Sequence, residues 1–121
     1  MASSAHPGFT DARVQQAIET AQRHADKMRT RVGATPDQLA DGALKIAAEC
    51  ISVTVNNGQV CVNLPLGIGS VCLPVPSWIP NGTAAQACID ICSKWGIPCG
   101  VELTVSVAGQ RIVQKGFGCS C

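Results

Sequence analysis

The distribution of cysteines constrains this chain more than any other feature of its sequence. All eight cysteines of the 121 residues lie between Cys50 and Cys121, and residues 1–49 contain none. Cytosolic thiols are kept reduced, so a dense and even set of cysteines favours an oxidising compartment. We therefore expect residues 50–121 to form a cysteine-rich α+β module held by disulfides, and residues 1–49 to form a helical segment.

The route to such a compartment is not visible in the sequence. Residues 1–16 contain no apolar run of the kind found in a signal peptide, and no stretch of the chain has the length and apolarity of a membrane span. Three explanations stay open: a signal was removed, export is leaderless, or the chain stays inside the cell with its thiols in another role. The expected location is extracytosolic or secreted.

Composition and charge argue against several partners. Aromatic residues make up 3% of the chain and tyrosine is absent, so the core has to consist of aliphatic side chains and cystine. The formal net charge of +1 provides no long-range field that would attract nucleic acid or an anionic membrane. We expect no nucleic-acid partner, and membrane contact is compatible with the composition but not favoured.

Residues 11–31 are predicted to form a helix, which begins at the capping pair Thr10-Asp11 and stops before Gly33. Its apolar residues follow the alternating four-three spacing of a narrow, Ala-rich seam, which buries little area. The helix should therefore dock on a second surface, either its own domain or a neighbouring subunit. The candidate interface residues of this seam are Val14, Ile18, Ala21, Ala25 and Met28.

Two further helices are predicted from capping signals. Residues 36–49 follow a capping Thr35, a proline at the first helical position and a glutamine three residues after the cap. A helix from Ala84 to Trp95 follows Thr83 and stops at Gly96. The expected class is α+β: two N-terminal helices, then a disulfide-stapled module of antiparallel hairpins packed on one helix.

The strand signals lie within the cysteine-rich part. Apolar residues alternate over 51–55 and 60–64 on either side of Asn57-Gly58, a strong hairpin turn signal that would place Val55 opposite Val60. Residues 71–73 are a candidate third strand. Residues 101–107 alternate and return after Ala108-Gly109-Gln110 in a second hairpin, whose register the sequence leaves open.

Four cysteines have spacings that suit a helix packed on a strand. Cys88 and Cys92 lie one turn apart on the predicted helix, and Cys119 and Cys121 share one face of a predicted strand. Over about residues 72–121, Cys88-Ile-Asp-Ile-Cys92 with Cys119-Ser-Cys121 resembles the cystine-stabilised αβ motif of defensins and scorpion toxins. The resemblance implies three disulfides: Cys88–Cys119, Cys92–Cys121 and Cys72–Cys99.

Cys50 and Cys61 remain, and they are poor partners for each other. In a regular hairpin they would be about 13 Å apart along the strands, whereas a disulfide requires Cα atoms within about 7 Å. Three alternatives stay open: the hairpin is irregular at Cys50, both cysteines bridge elsewhere with Cys72 and Cys99 as candidates, or one of them crosslinks another chain.

The chain offers no constellation for catalysis or for a cofactor. The acids of the cysteine module are Asp90 and Glu102, and each is interpreted as part of a solvated face. Both histidines, His6 and His24, lie in the cysteine-free part, which does not favour a metal site. No phosphate loop, serine-hydrolase motif or zinc-protease motif occurs. We expect a non-enzymatic protein with no catalytic residue, cofactor or metal.

An uncharged stretch indicates the favoured function. Residues 50–89 contain no Asp, Glu, Lys or Arg over 40 positions, and a small chain has little interior in which to bury them. Part of the stretch is expected to form an exposed apolar surface, with Val75, Trp78 and Ile79 as candidates, unless it simply supplies the core strands. The favoured function is a disulfide-rich structural or interaction protein that self-associates, with itself as partner.

Two other functions stay open. A secreted defensin-like antimicrobial or toxin fits the cysteine pattern, although residues 83–121 carry three cations against two acids, a net charge of +1, whereas membrane attack normally uses a basic face. A precursor with a removable N-terminal leader fits the change in composition at Cys50.

Oxidation of all eight thiols to four disulfides should lower the mass of the non-reduced protein by about 8 Da relative to the reduced protein. Intact mass spectrometry before and after reduction measures this difference. Alkylation of eight free thiols in the non-reduced protein would contradict the extracytosolic interpretation.

Overall fold

Antiparallel strands account for most of the structure, a computed structural model that describes residues 7–30 and 43–119. Within these ranges the chain forms one helix and six strands. Their bounds are α1 Asp11–Thr30, β1 Ala43–Thr54, β2 Gln59–Leu64, β3 Gly69–Pro74, β4 Ala84–Lys94, β5 Ile97–Val107 and β6 Gln110–Gly118. The predicted class, with two N-terminal helices and hairpins packed on one helix, is therefore wrong.

The strands form two sheets with a core between two layers. The larger sheet has the order β1-β4-β5-β6, and the smaller one pairs β2 with β3. The helix α1 and the β2–β3 hairpin pack on one face of the larger sheet, which we call the inner face. Apart from Ser93, the largest fully buried side chains are aliphatic, as expected from the composition, and include Ile89, Ile91, Leu103, Val60 and Val62.

The second predicted helix is wrong over residues 43–49, which belong to β1; residues 36–42 lie outside the described residues. Pairing with β4 decides the conformation of these residues, against the helix capping signal at Thr35, and the pairing includes a β-bulge. The ladder to β4 skips one residue of β1 between Ala47 and Glu49, so Ala48 has no partner in that ladder. The bulge moves the inward positions from Leu44 and Ile46 to Ile51 and Val53.

The third predicted helix, Ala84–Trp95, is also wrong, because Ala84–Lys94 form β4. Strict alternation is present in this segment: Ala85, Ala87, Ile89 and Ile91 are all buried. β4 is central, with β1 on one edge and β5 on the other, so small side chains suit a strand covered by a helix. Tertiary pairing overrides the helix propensity of the alanines.

The first predicted helix is confirmed over Asp11–Thr30. Thr10 is its N-cap, because the Thr10 carbonyl accepts hydrogen bonds from the backbone N–H groups of Arg13 and Val14 at 3.0 and 3.1 Å. The Glu49 carboxylate, 39 residues away, accepts hydrogen bonds from both the backbone N–H and the hydroxyl of Thr10, at 2.6 and 2.9 Å. The bulge thus places an acidic side chain at the start of the helix, where a negative charge is favourable.

The Asn57-Gly58 turn is confirmed, but the hairpin around it is wrong. Both turn residues have positive φ, and Asn56 and Gln59 exchange two backbone hydrogen bonds at 2.9 and 3.1 Å. Beyond this pair the strands separate, since β1 pairs with β4 and β2 with β3. Val55 therefore bonds to Gly82 and Thr83 rather than facing Val60.

The predicted strands at residues 71–73 and 101–107 are confirmed, whereas the predicted strand position of Cys119 is wrong, because β6 ends at Gly118. β3 contains residues 71–73, and β5 and β6 form a hairpin around Ala108-Gly109, with a register shift between Val105 and Ser106. The division into residues 1–49 and 50–121 stays a prediction. β1 runs across that boundary without interruption.

α1 packs closely against the β4–β5 turn. Gly96, buried in that turn with φ 82°, leaves space for the helix: a Cβ there would lie 2.9 Å from Gln22 Cα and 3.3 Å from Ala25 Cβ. Gly109 has the matching φ of 81° in the β5–β6 turn, and a Cβ there would meet nothing within 4 Å.

Gly96→Ala should therefore destabilise the protein by about 1–3 kcal/mol more than Gly109→Ala. Both substitutions introduce the same backbone strain, but the first one also displaces α1. Urea denaturation of the two oxidised variants measures the difference. Equal losses would show that the helix yields at no cost.

Candidate functional site

Disulfides join neighbouring strands at three described places: Cys50–Cys88, Cys61–Cys72 and Cys99–Cys119. Cys92 is disulfide-bonded as well, and its predicted partner, Cys121, lies outside the described residues. The protein is therefore disulfide-rich, as the cysteine count predicts.

The pairs Cys88–Cys119 and Cys72–Cys99, implied by the defensin-like resemblance, are wrong. That motif requires Cys88 on a helix, whereas Cys88 lies on β4, directly opposite Cys50 in the antiparallel ladder. Cys61 and Cys72 lie opposite each other in the β2–β3 ladder in the same way. The prediction that Cys50 and Cys61 are not partners is confirmed, and both bridge elsewhere.

The larger sheet also has an open face, opposite the inner face. Along β4, Gln86, Cys88 and Asp90 alternate with buried residues, so they point to this side, and Cys92 continues the same alternation although it is buried. Within the described residues, the helix and the small sheet both lie on the inner face. The Cys50–Cys88 disulfide and a group of charges therefore share the open face.

Lys45, Asp90 and Glu102 form this charge cluster. Lys45 Nζ donates a hydrogen bond to Glu102 Oε1 at 2.8 Å across the intervening β4. That hydrogen bond, together with the attraction of Glu102, raises the pKa of Lys45. Asp90 lies directly opposite Glu102. Burial raises the pKa of Asp90, the attraction of Lys45 opposes the shift, and the repulsion of Glu102 adds to it.

The charge cluster brings together three residues that the sequence pattern does not associate. The sequence alone indicates separate solvated positions for Asp90 and Glu102, and it predicts a helix at Lys45. Their common site follows from the order β1-β4-β5, which the sequence pattern did not provide. The cluster lies on an open face, so its geometry suits cross-strand stabilisation.

A polar cleft of about 400 Å³ opens where β1 and β2 separate beyond their shared turn. The residues that line it are uncharged and include Pro7, Ser52, Thr54, Asn56, Gln59 and Cys61. β1 is the terminal strand of the larger sheet, so one of its edges has no described partner strand. The cleft leaves this edge accessible.

The interface residues predicted on α1 are largely buried within the same chain. Val14, Ala21 and Ala25 are buried, and Ile18 is half-buried. The side chain of Met28 lies outside the described residues. Of the two docking surfaces open at the sequence level, the helix therefore uses its own domain.

The other predicted interface residues differ among themselves. Val75 and Ile79 belong to the core, whereas Trp78 between them is 70% exposed. The uncharged stretch therefore supplies core strands and also retains exposed positions.

No protein-family model, curated protein or solved structure matches this sequence. In residues 7–30 and 43–119, no helix has the length and apolarity needed to cross a membrane. The same residues contain no group of three or more His, Cys, Asp or Glu side chains placed to hold a metal ion.

Asp90→Asn should gain stability relative to the wild type as the pH rises. Because the pKa of Asp90 is raised in the folded protein, its ionisation costs stability as the pH rises from the ordinary value of 3.8 through the folded pKa. The amide does not ionise, so the relative gain should be absent below about pH 3 and complete near pH 7. Urea denaturation across this range measures it. A relative loss with rising pH would show that attraction by Lys45 outweighs burial.

Proposed function

We propose that this chain is a non-enzymatic, disulfide-stapled interaction protein that self-associates outside the cytosol. The observation that carries the proposal is the accessible edge of β1, where Cys50–Thr54 form a run without charge, proline or glycine. Natural proteins usually protect such edges with charges, bulges or covering loops, because an open edge pairs with other strands. An unprotected edge next to a cleft is typical of a strand-pairing surface.

Several of the predicted interface residues are buried in the core and cannot contact a second copy. Val75 and Ile79 are buried, and the α1 seam packs on its own sheet, so neither supports association. Within the uncharged stretch of residues 50–89, the β1 edge and the exposed Trp78 remain as candidate contact surfaces.

The proposed location and the absence of catalysis rest on other observations. Structural disulfides are typical of extracellular proteins, and Asp90 and Glu102 face an open sheet surface rather than a cleft. The defensin-like alternative loses its basis because Cys88 and Cys92 lie on a strand. The leader alternative is not favoured either, since residues 43–49 of β1 pair with β4 and Val14 of α1 packs in the core that β4 and β5 form.

Self-association predicts that the oxidised protein is oligomeric at about 100 µM and dissociates on dilution, as expected for an affinity in the micromolar range. Sedimentation velocity over a dilution series measures this behaviour. The Trp78→Ser variant tests whether the exposed side chain of Trp78 contributes to the association. A monomer at every concentration up to about 1 mM would contradict the proposed function.

A further inference from the structure

The backbone groups of β1 alternate between its two edges, and the end of the strand shows which residues face which edge. Val55 N–H donates to Thr83 O at 2.9 Å, and Val55 O accepts from Gly82 N at 2.8 Å, so Val55 faces the β4 side. Asn56 exchanges its two hydrogen bonds with Gln59 on the opposite side.

Counting back from Asn56 with a period of two assigns the free edge. Thr54, Ser52 and Cys50 direct their N–H and C=O groups away from β4, and Thr54 and Ser52 also line the cleft. The Cα–Cα distance of 4.0 Å between Cys50 and Cys88 agrees, since it belongs to the closely spaced pairs that exchange no backbone hydrogen bonds. The bulge at Ala48 lies outside this run.

The other terminal strand of the sheet, β6, is better protected. The same alternation, counted through Cys88 and Thr104, directs the free backbone groups of Gln114 and Gly116 outwards. This strand carries Arg111 and Lys115 and a register shift near its turn, which are features that discourage edge pairing. β1 also carries charges and a bulge, but they all lie before Cys50, whereas Lys115 lies between Gln114 and Gly116 on the free edge of β6.

We propose that β1 pairs with β1 of a second copy in an antiparallel, two-fold arrangement that places Ser52 opposite Ser52 of the other copy. This inference rests on the proposed self-association and names its interface. In this register each Cys50 lies opposite Thr54 of the other copy, so all three free residues form hydrogen-bonded pairs. The pairing ends at Thr54, because the edge groups of Asn56 are already bonded to Gln59.

Charge and burial favour a second copy as the occupant. Cys50–Thr54 carry no charge, so a two-fold axis through Ser52 brings no like charges together. The same register places Ile51, half-buried in the single chain, beside Val53 of the other copy and covers it with a β-branched neighbour. A closed two-fold contact also leaves no further β1 edge exposed.

Charge substitution at Ser52 tests the register. Ser52→Lys should weaken the dimer about tenfold or more, because two cations then face each other across the axis. Ser52→Glu should do the same, and an equimolar mixture of the two variants should recover dimerisation as a heterodimer. Gln114→Lys, the matched substitution on the free edge of β6, should leave the affinity unchanged. Sedimentation velocity measures all four samples.

The outcomes separate this interface from the proposed function. Assembly that resists both Ser52 variants, or that Gln114→Lys abolishes, overturns the β1 pairing while self-association stands. A wild-type monomer overturns both. Loss of dimer in the single variants without recovery in the mixture overturns the register.

Amide hydrogen exchange of the unsubstituted protein gives a readout that does not depend on how the variants fold. The N–H groups of Cys50, Ser52 and Thr54 should become protected as concentration rises, whereas those of Gln114 and Gly116 should exchange rapidly throughout. Unprotected amides at Cys50, Ser52 and Thr54 in the assembled protein would overturn the proposal.

Discussion

Pairing of β4 with strands on both of its edges is the constraint on which the rest of the structure depends. β1 and β4 pair although they are distant in sequence: Cys50 and Cys88, which lie opposite each other and form a disulfide, are 38 residues apart. Only with β4 in the centre do Ala85, Ala87 and Ile89 turn inwards together, and α1 and the small sheet pack on that face. The position of β4 also determines which edges stay free, because it leaves β1 and β6 at the ends of the sheet.

The sequence predicted the backbone conformation correctly where an interaction between neighbouring residues decides it. Thr10 caps α1, Asn57-Gly58 forms a turn from two residues that tolerate positive φ, and Gly109 supplies the same tolerance to the β5–β6 turn. The same reasoning failed wherever a distant strand decides. Residues 43–49 follow a helix capping signal, but pairing with β4 makes them part of β1, with Ala48 left out of the ladder.

The candidate site shows the same division. The cysteine count predicted a stapled protein, but a resemblance in spacing could not supply the partners, because i and i+4 cysteines suit either a helix or a strand. On β4, Cys88 and Cys92 share a face through the period of two. Self-association was predicted from the missing charges of residues 50–89. Most of the apolar side chains in that stretch entered the core, and the open feature is the backbone edge that they leave behind.

The nested disulfides have a consequence for the integrity of the chain. Cys61–Cys72 lies inside the covalent loop that Cys50–Cys88 closes, and Cys99–Cys119 closes a separate loop. A single cut of the backbone anywhere between Cys50 and Cys88 therefore releases no fragment. The exposed loop around Trp78 falls in this interval, so a protease that nicks it would leave one covalent molecule whose strands stay paired.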